Sequence, residues 1–257
     1  MSIKRKTIKS YNTYAKKWAE KIRNGENIAH TYPEKPAMYK KIPNIQNKSI
    51  LCVGCGTGEE CQHLLKLGAR RVTGIDISEE LINLAKKTFP KINFQVADVE
   101  HLNFLDGEFD FVYSSLTMHY LKDWSPALKN IHRVLRPGGI FLFSTHHPVK
   151  WGAQTLRRKP KNAFILGYEK FKDGKQFKIY GDYLNERKIE DVWFGDFPVS
   201  YYHKPISKIF KEVTSAGFEI SDIIEPKAIP RAHRVRENFW RIHQKIPLFL
   251  IIEAKRH

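Results

Sequence analysis

The sequence predicts a single α/β domain built on a doubly wound parallel sheet with helices on both faces, and three observations carry that reading. Between residues 49 and 145, apolar strand-like runs alternate with helical segments of ten or so residues, the pattern of right-handed crossovers. The connections hold Gly68, Pro90 and the run Pro137, Gly138, Gly139, residues that stop helices and open turns. The first strand leads directly into a loop with glycines at 54, 56 and 58.

In chain order, residues 7–23 set Ile8, Tyr11, Ala15, Trp18 and Ile22 three or four apart, which predicts an amphipathic helix. A connector bearing Pro33, Pro36 and Pro43 follows. Strands are expected at 49–54, 71–76, 92–97, 108–115 and 140–145, with helices at 59–68, 78–89 and 125–135. From 150 to 204 the helical period disappears and aromatic and turn residues take over, for too long to be a simple connection. This stretch predicts a lid insertion carrying a β-hairpin, with its turn at Asp173, Gly174 and Lys175. A helix at 205–218, a strand at 219–226, a short basic helix and a final apolar strand complete the chain. The organisation expected is one domain over 1–257: a cap (1–44), a cofactor-binding core (45–149), a substrate lid (150–204) and the return to the core (205–257).

Composition narrows the function. Hydrophobic residues at 42% and charged residues at 28% are ordinary for a globular protein. No apolar run approaches the roughly 20 residues of a membrane span. The basic N-terminus lacks the apolar stretch of a secretory signal, and three cysteines make no framework of paired bridges, so the cytoplasm is the expected location. The net charge of +17 lies in the flanks: +9 over 1–48, −1 over 49–149 and +9 over 150–257. A nucleic acid partner would use it through Arg157, Arg158 and Lys159 in the lid or Arg231, Arg234, Arg236 and Arg241 near the C-terminus. The lysines are dispersed instead of massed in blocks, so background composition is the favoured reading and nucleic acid is not favoured.

The chemistry centres on SILCVGCGTGEE. Glycines there let the backbone turn sharply and approach a ligand, and the following helix opens with unpaired N–H groups. Asp76 closes the second strand 18 residues after Gly58, where a carboxylate can accept hydrogen bonds from both ribose hydroxyls of a nucleoside. Glu59 stands where a dinucleotide fingerprint requires glycine, and its charge would repel a pyrophosphate. A cofactor without phosphates and with a cationic centre suits the loop better. Cys52 and Cys55 form a CxxC, but with no second pair they read as small buried apolar residues, and no metal is expected.

In these residues and in the motifs that follow them, the chain resembles the class I S-adenosylmethionine-dependent methyltransferases. CVGCGTG, GIDIS, ADVEHLNF, FDFVYSSLTMHYLKDW and RVLRPGGIFLFSTHHP occur in that family's order and spacing. The resemblance implies a Rossmann-like sheet of seven strands with the last antiparallel, S-adenosyl-L-methionine as cofactor and S-adenosyl-L-homocysteine as product. It also implies residue roles. Gly54, Cys55 and Gly56, with Gly58, would surround the methionine moiety. Asp76 would hold the ribose and Ile77 would lie beside adenine. Asp98 would take the adenine amino group, with Val99 supplying a backbone N–H. Ser115 and Leu116 would lie beneath the sulfonium, while Tyr11, Tyr14 and Trp18 close over the cofactor. Cys52 departs from the family, many members of which carry an acid there.

Methyl transfer from a sulfonium is an in-line displacement, so positioning supplies most of the rate and a base matters only where the acceptor must lose a proton. Ligands in open α/β sheets sit outside the carboxyl ends of the strands. His119 and His146 follow such ends and are the candidate base or acceptor-orienting groups. His147, Trp151, Tyr202 and His203 are the candidate substrate contacts, and Tyr180, Tyr183, Trp193, Phe194 and Tyr201 could add to an apolar wall. The reaction expected is methylation of a small organic acceptor, with an RNA substrate as the alternative. A non-catalytic cofactor-binding or interaction protein would be expected to have lost part of the motif set, which is intact.

Overall fold

A computed structural model describes residues 3–158, 161–172 and 175–257. Helix α1 (Ile3–Arg23) opens the chain, starting four residues before the apolar period makes it visible. The connector is largely helical: a π-helical turn over His30–Glu34 runs into α2 (Lys35–Lys40). Pro36 falls in the first turn of α2, where a missing N–H costs nothing. The expected alternation then follows: β1 (Ser49–Val53), α3 (Glu59–Lys66), β2 (Arg71–Asp76), α4 (Glu79–Thr88), β3 (Asn93–Val96), β4 (Phe109–Ser114), α5 (Ser125–Val134) and β5 (Leu135–His146). β5 begins earlier than its apolar run because Leu135 already pairs with Phe109; the register shifts before pairing resumes at Ile140 and Phe111.

Beyond β5 comes the short α6 (Pro148–Gly152) and then three hairpins where the sequence indicated one. They pair β6 (Gln154–Arg158) with β7 (Lys161–Ile165), β8 (Gly167–Lys170) with β9 (Phe177–Tyr180), and β10 (Arg187–Trp193) with β11 (Phe197–His203). Asp173 and Gly174 of the expected turn lie outside the described residues. α7 (Ile206–Ser215), β12 (Phe218–Ile224), α8 (Arg231–Val235), α9 (Glu237–Ile242) and β13 (Phe249–Arg256) finish the fold, the single basic helix becoming two short ones.

The seven-stranded sheet has the order β12-β13-β5-β4-β1-β2-β3. β13 is antiparallel to both β5 and β12, and the pairs from β5 through β3 are parallel. Side chains on a strand alternate between faces, and β1 is buried along its whole length because both faces are covered. Leu51 and Val53 enter one core with Leu128 and Ile131 of α5 and Ile209 and Val213 of α7. Ile50 and Cys52 enter the other with Cys61 and Leu64 of α3 and Ile82 and Ala85 of α4. Cys52 and Cys61 are therefore core packing, and all three cysteines are free and buried.

Strand order reverses between β1 and β4, and such a switch point leaves a crevice at the carboxyl ends of the strands. α1 crosses above it, packing on α4 and β11. Tyr11, Tyr14 and Trp18 of α1 share an aromatic cluster with Phe197, Val199 and Tyr201 of β11, so the N-terminal helix and the last hairpin meet over the crevice.

Candidate functional site

The β1–α3 loop owes its shape to contacts on three sides. Gly54 has φ +67°, and a Cβ there would collide with the Thr117 side chain, so the loop lies directly against the segment after β4. Cys55 N–H donates to the Ile75 carbonyl at 2.9 Å, tying the loop to β2. Gly56, at φ +53°, donates its N–H to Asp76 Oδ2 at 3.0 Å, while Asp76 Oδ1 accepts from Ser78 N at 2.9 Å. A Cβ on Gly56 would meet only Trp18 Nε1, 3.9 Å away; otherwise it would point into open space.

That space is a cavity of about 760 Å³. Gly54, Cys55, Gly56, Asp76 and Ile77 line one wall, and Asp98, Val99, Ser115 and Leu116 continue it along the strand ends. Tyr11 and Trp18 close it from α1, and the phenols of Tyr11 and Tyr120 hydrogen-bond at 2.6 Å across the gap between α1 and the turn after β4. Burial pushes the Asp76 carboxyl up, against the pull of its backbone N–H partners. Lys4 forms ion pairs with Asp98 and Glu100, so the start of α1 already lies on the acid expected at the adenine end.

The residues present fit an adenosine-type ligand. An uncovered glycine cradle, two carboxylates at adjacent strand ends and a largely apolar cleft are the elements such a group requires.

The far end of the cavity is lined by His119, His146, Trp151, Tyr202, Trp193 and Phe194. The rings of His119 and His146 are stacked 3.7 Å apart, and Trp151 stacks on the other side of His146 at 4.3 Å. His119 has no hydrogen-bond partner at either nitrogen and His146 none at Nδ1. Burial drives the His119 imidazole down to about 3, and burial with the neighbouring ring takes His146 well below the usual histidine range. Both are neutral at physiological pH, with hydrogen-bonding capacity at both His119 nitrogens and at His146 Nδ1 that no protein group uses.

Four residues expected at the site do not line the cavity. Tyr14 packs edge-on against Phe197. Gly58 is required for packing, since a Cβ would strike the Phe94 ring at 2.6 Å. His147 caps α6 by accepting from Val149 N, and its other nitrogen meets Glu225 at 2.7 Å. His203 Nε2 meets the Tyr183 carbonyl oxygen at 2.8 Å, which fixes it at the lid root. Of the further aromatics, Trp193 and Phe194 line the cavity; Tyr201 backs His146 and Trp151 from behind, Tyr180 bonds to Glu169 and Tyr183 packs near His203. Arg231, Arg234, Arg236 and Arg241 are exposed on α8, α9 and their junction, away from the cavity lining, and the Arg157, Arg158 and Lys159 side chains lie outside the described residues. Among the described residues no group of three His, Cys, Asp or Glu could hold a metal ion, and no helix is long and apolar enough to cross a membrane.

A polar group that no motif marks lies beneath this wall. Glu34, fully buried, accepts hydrogen bonds from Ser115 Oγ at 2.8 Å and Ser144 Oγ at 2.5 Å. His30 lies between Glu34 and Glu60, and Lys35 pairs with Glu60 at 3.1 Å. These residues sit in the proline-bearing connector and the first turn of α3, in no recognisable motif; their only signal was an acid four residues after a histidine.

Residues 51–143 match the family model described as a methyltransferase domain. An uncharacterised protein of Haemophilus influenzae is 31% identical over 247 residues, 92% of each chain. A malonyl-[acyl-carrier protein] O-methyltransferase of Hamiltonella defensa is 34% identical over 125 residues, 46% of this chain and 48% of its own length, so that match spans about half of each. The crystal structure of an S-adenosylmethionine-dependent methyltransferase from Mesorhizobium loti superposes with a TM-score of 0.70 at 27% identity, covering 86% of this chain and 96% of the other.

Proposed function

The chain belongs to the class I S-adenosylmethionine-dependent methyltransferases, and on that premise we propose that its cleft methylates a small organic acceptor. The cofactor, when bound, supplies an electrophilic methyl group on a good leaving group. In this reading Asp76 holds the ribose hydroxyls, Asp98 and the Val99 N–H hold the adenine edge, and Gly54, Cys55 and Gly56 leave room for the amino-acid tail. Ile77 packs beside the base, Ser115 and Leu116 lie beside the sulfur, and Tyr11 and Trp18 exclude water. The whole chain acts as one domain, with 1–44 and 150–204 covering the core.

The observation that carries the acceptor assignment is the stacked pair His119 and His146, neutral and with unpartnered nitrogens, in an aromatic wall. A neutral imidazole there orients the acceptor by hydrogen bonding, accepting from its hydroxyl or amine or donating to its carbonyl; burial that holds the rings so far below the usual range makes them orienting groups in preference to proton acceptors. Trp151, Tyr202 and Trp193 offer flat surfaces for an apolar or conjugated body. The volume sits within the roughly 300–1,000 Å³ of small-molecule sites. The relative named for O-methylation of malonyl-[acyl-carrier protein] supports an organic acceptor in preference to a nucleic acid.

The test is methyl incorporation from labelled cofactor into a small-molecule extract, run beside bulk tRNA and rRNA. Label in an extractable small molecule, lost in a His119→Ala, His146→Ala double variant that still binds cofactor, is the expected result. Label in RNA would overturn the acceptor assignment.

A further inference from the structure

Glu34 is buried one hydroxyl group behind the cavity wall, and neither the glycine loop nor the histidine pair uses it. Its Oε1 accepts from both Ser115 Oγ and Ser144 Oγ, and Ser144 Oγ in turn accepts the Leu116 N–H at 2.9 Å. Leu116 has φ +52°, a left-handed backbone that a branched residue keeps only when its surroundings hold it. Ser115 and Leu116 line the cavity, so one carboxylate organises the surface at the strand switch point. Its Oε2 is buried with no hydrogen bond; His30 Nε2 lies 3.3 Å away but outside hydrogen-bond geometry. A buried carboxylate left half satisfied is costly to keep ionised, and burial pushes this carboxyl up.

We propose that Glu34 is a positioning residue that serves as the counter-charge of the pocket, making it favour a cationic sulfonium cofactor over the neutral-sulfur product. The proposal rests on the cofactor reading above, in which the sulfur lies beside Ser115 and Leu116. A negative charge behind a thin polar wall acts on a cation several ångströms away through a medium far less screening than water. Methyl transfer removes that cation, so the attraction vanishes from the product and the spent cofactor is held less tightly. The charge on sulfur is greatest before transfer, so Glu34 contributes to cofactor binding more than to the chemical step.

The groups facing Glu34 are His30 on its own turn, Tyr39 of α2, Glu60 of α3, Tyr113 and Ser115 at the end of β4, and Ser144 of β5, with Lys35 of α2 paired to Glu60. A cation binds the ionised carboxylate, so affinity for the sulfonium cofactor rises with pH as Glu34 ionises, and affinity for the product does not. His30 Nε2 lies 3.3 Å from the same carboxylate, so its part has to be separated from that of Glu34 by a variant of its own.

The experiment is calorimetric titration of S-adenosylmethionine and S-adenosylhomocysteine between pH 5 and 8 into wild type, Glu34→Gln and His30→Gln. Glutamine keeps an oxygen for the two serine hydroxyls. The expected result is a wild-type preference for the sulfonium form that grows several-fold across this range. Glu34→Gln abolishes the growth, weakens S-adenosylmethionine about tenfold at pH 8 and leaves S-adenosylhomocysteine within twofold; His30→Gln keeps the slope. With an acceptor in hand, Glu34→Gln raises the cofactor KM without lowering kcat. Equal weakening of both ligands, or a slope that survives in Glu34→Gln and disappears in His30→Gln, would overturn the proposal. The wild-type ratio of the two affinities against pH requires no variant, and a flat ratio overturns the proposal even if Glu34→Gln misfolds. Wild type binding neither ligand would instead defeat the cofactor reading itself.

Discussion

His119 lies face to face on His146, with ring centres 3.7 Å apart and planes 12° from parallel. One residue comes from the turn after β4 and the other from the last position of β5, so the contact exists only because those strands are neighbours in the sheet. Two imidazolium ions could not share this arrangement: burial keeps His119 neutral, and burial with the neighbouring ring keeps His146 neutral.

This neutrality has a thermodynamic consequence. The folded protein binds the His119 proton only near pH 3, whereas the unfolded chain binds it near 6.5. The unfolded state therefore holds more protons between those values, and stability falls as pH drops below 6.5. At about 1.4 kcal/mol per pH unit, the contribution lost by pH 5 is about 2 kcal/mol. Urea unfolding at pH 7.5 and pH 5 should show His119→Phe losing about 2 kcal/mol less than wild type; identical losses would mean that the ring is protonated in the fold.

Asp76 braces the loop, its oxygens accepting from Gly56 and Ser78, and in the proposed reading the same carboxylate holds the ribose. Asp76→Ala should weaken S-adenosylmethionine by about 1.5–3 kcal/mol, the range for hydrogen bonds to a charged group, and also lower the melting temperature of the unliganded protein. Unchanged affinity in calorimetry would remove Asp76 from the ribose site.

The phenol pair Tyr11 and Tyr120 joins α1 to the active-site turn. Tyr11→Phe removes a bond of about 0.5–1.5 kcal/mol. Hydrogen exchange over 3–23 should speed up several-fold in the variant and slow in wild type when cofactor binds. Exchange indifferent to both would make α1 a fixed part of the wall.

Trp151 borders the far end of the cavity and stacks on His146. Trp151→Ala should cut kcat/KM for the acceptor at least tenfold while S-adenosylmethionine affinity stays within about twofold, because the ring partners of Trp151 are His146 and Tyr201 and not the glycine loop. A parallel loss of cofactor affinity would show instead that the variant had collapsed the cavity.

What the residues by themselves determined is the sheet and its cofactor edge. Both depend on short-range rules: apolar runs of strand length, helices set by a 3.6-residue period, and glycines where a loop must turn against a neighbour. Gly54, Gly56, Asp76 and Asp98 were legible because each occupies a fixed place relative to the end of its own strand. The tertiary structure decided the rest. Gly58, expected at the ligand, lies off the cavity lining, and Phe94 of β3 fills the space a Cβ would need. His147 and His203 were expected as substrate contacts, yet Glu225 and the Tyr183 carbonyl engage them away from the cavity lining, whereas His119 and His146 line it and His119 keeps both nitrogens unpartnered. Glu34 carried no local signal because its partners Ser115 and Ser144 are 81 and 110 residues away. A hydrogen bond across that separation is written into the order of strands and not into any stretch of sequence, since only folding brings its two ends within 3 Å.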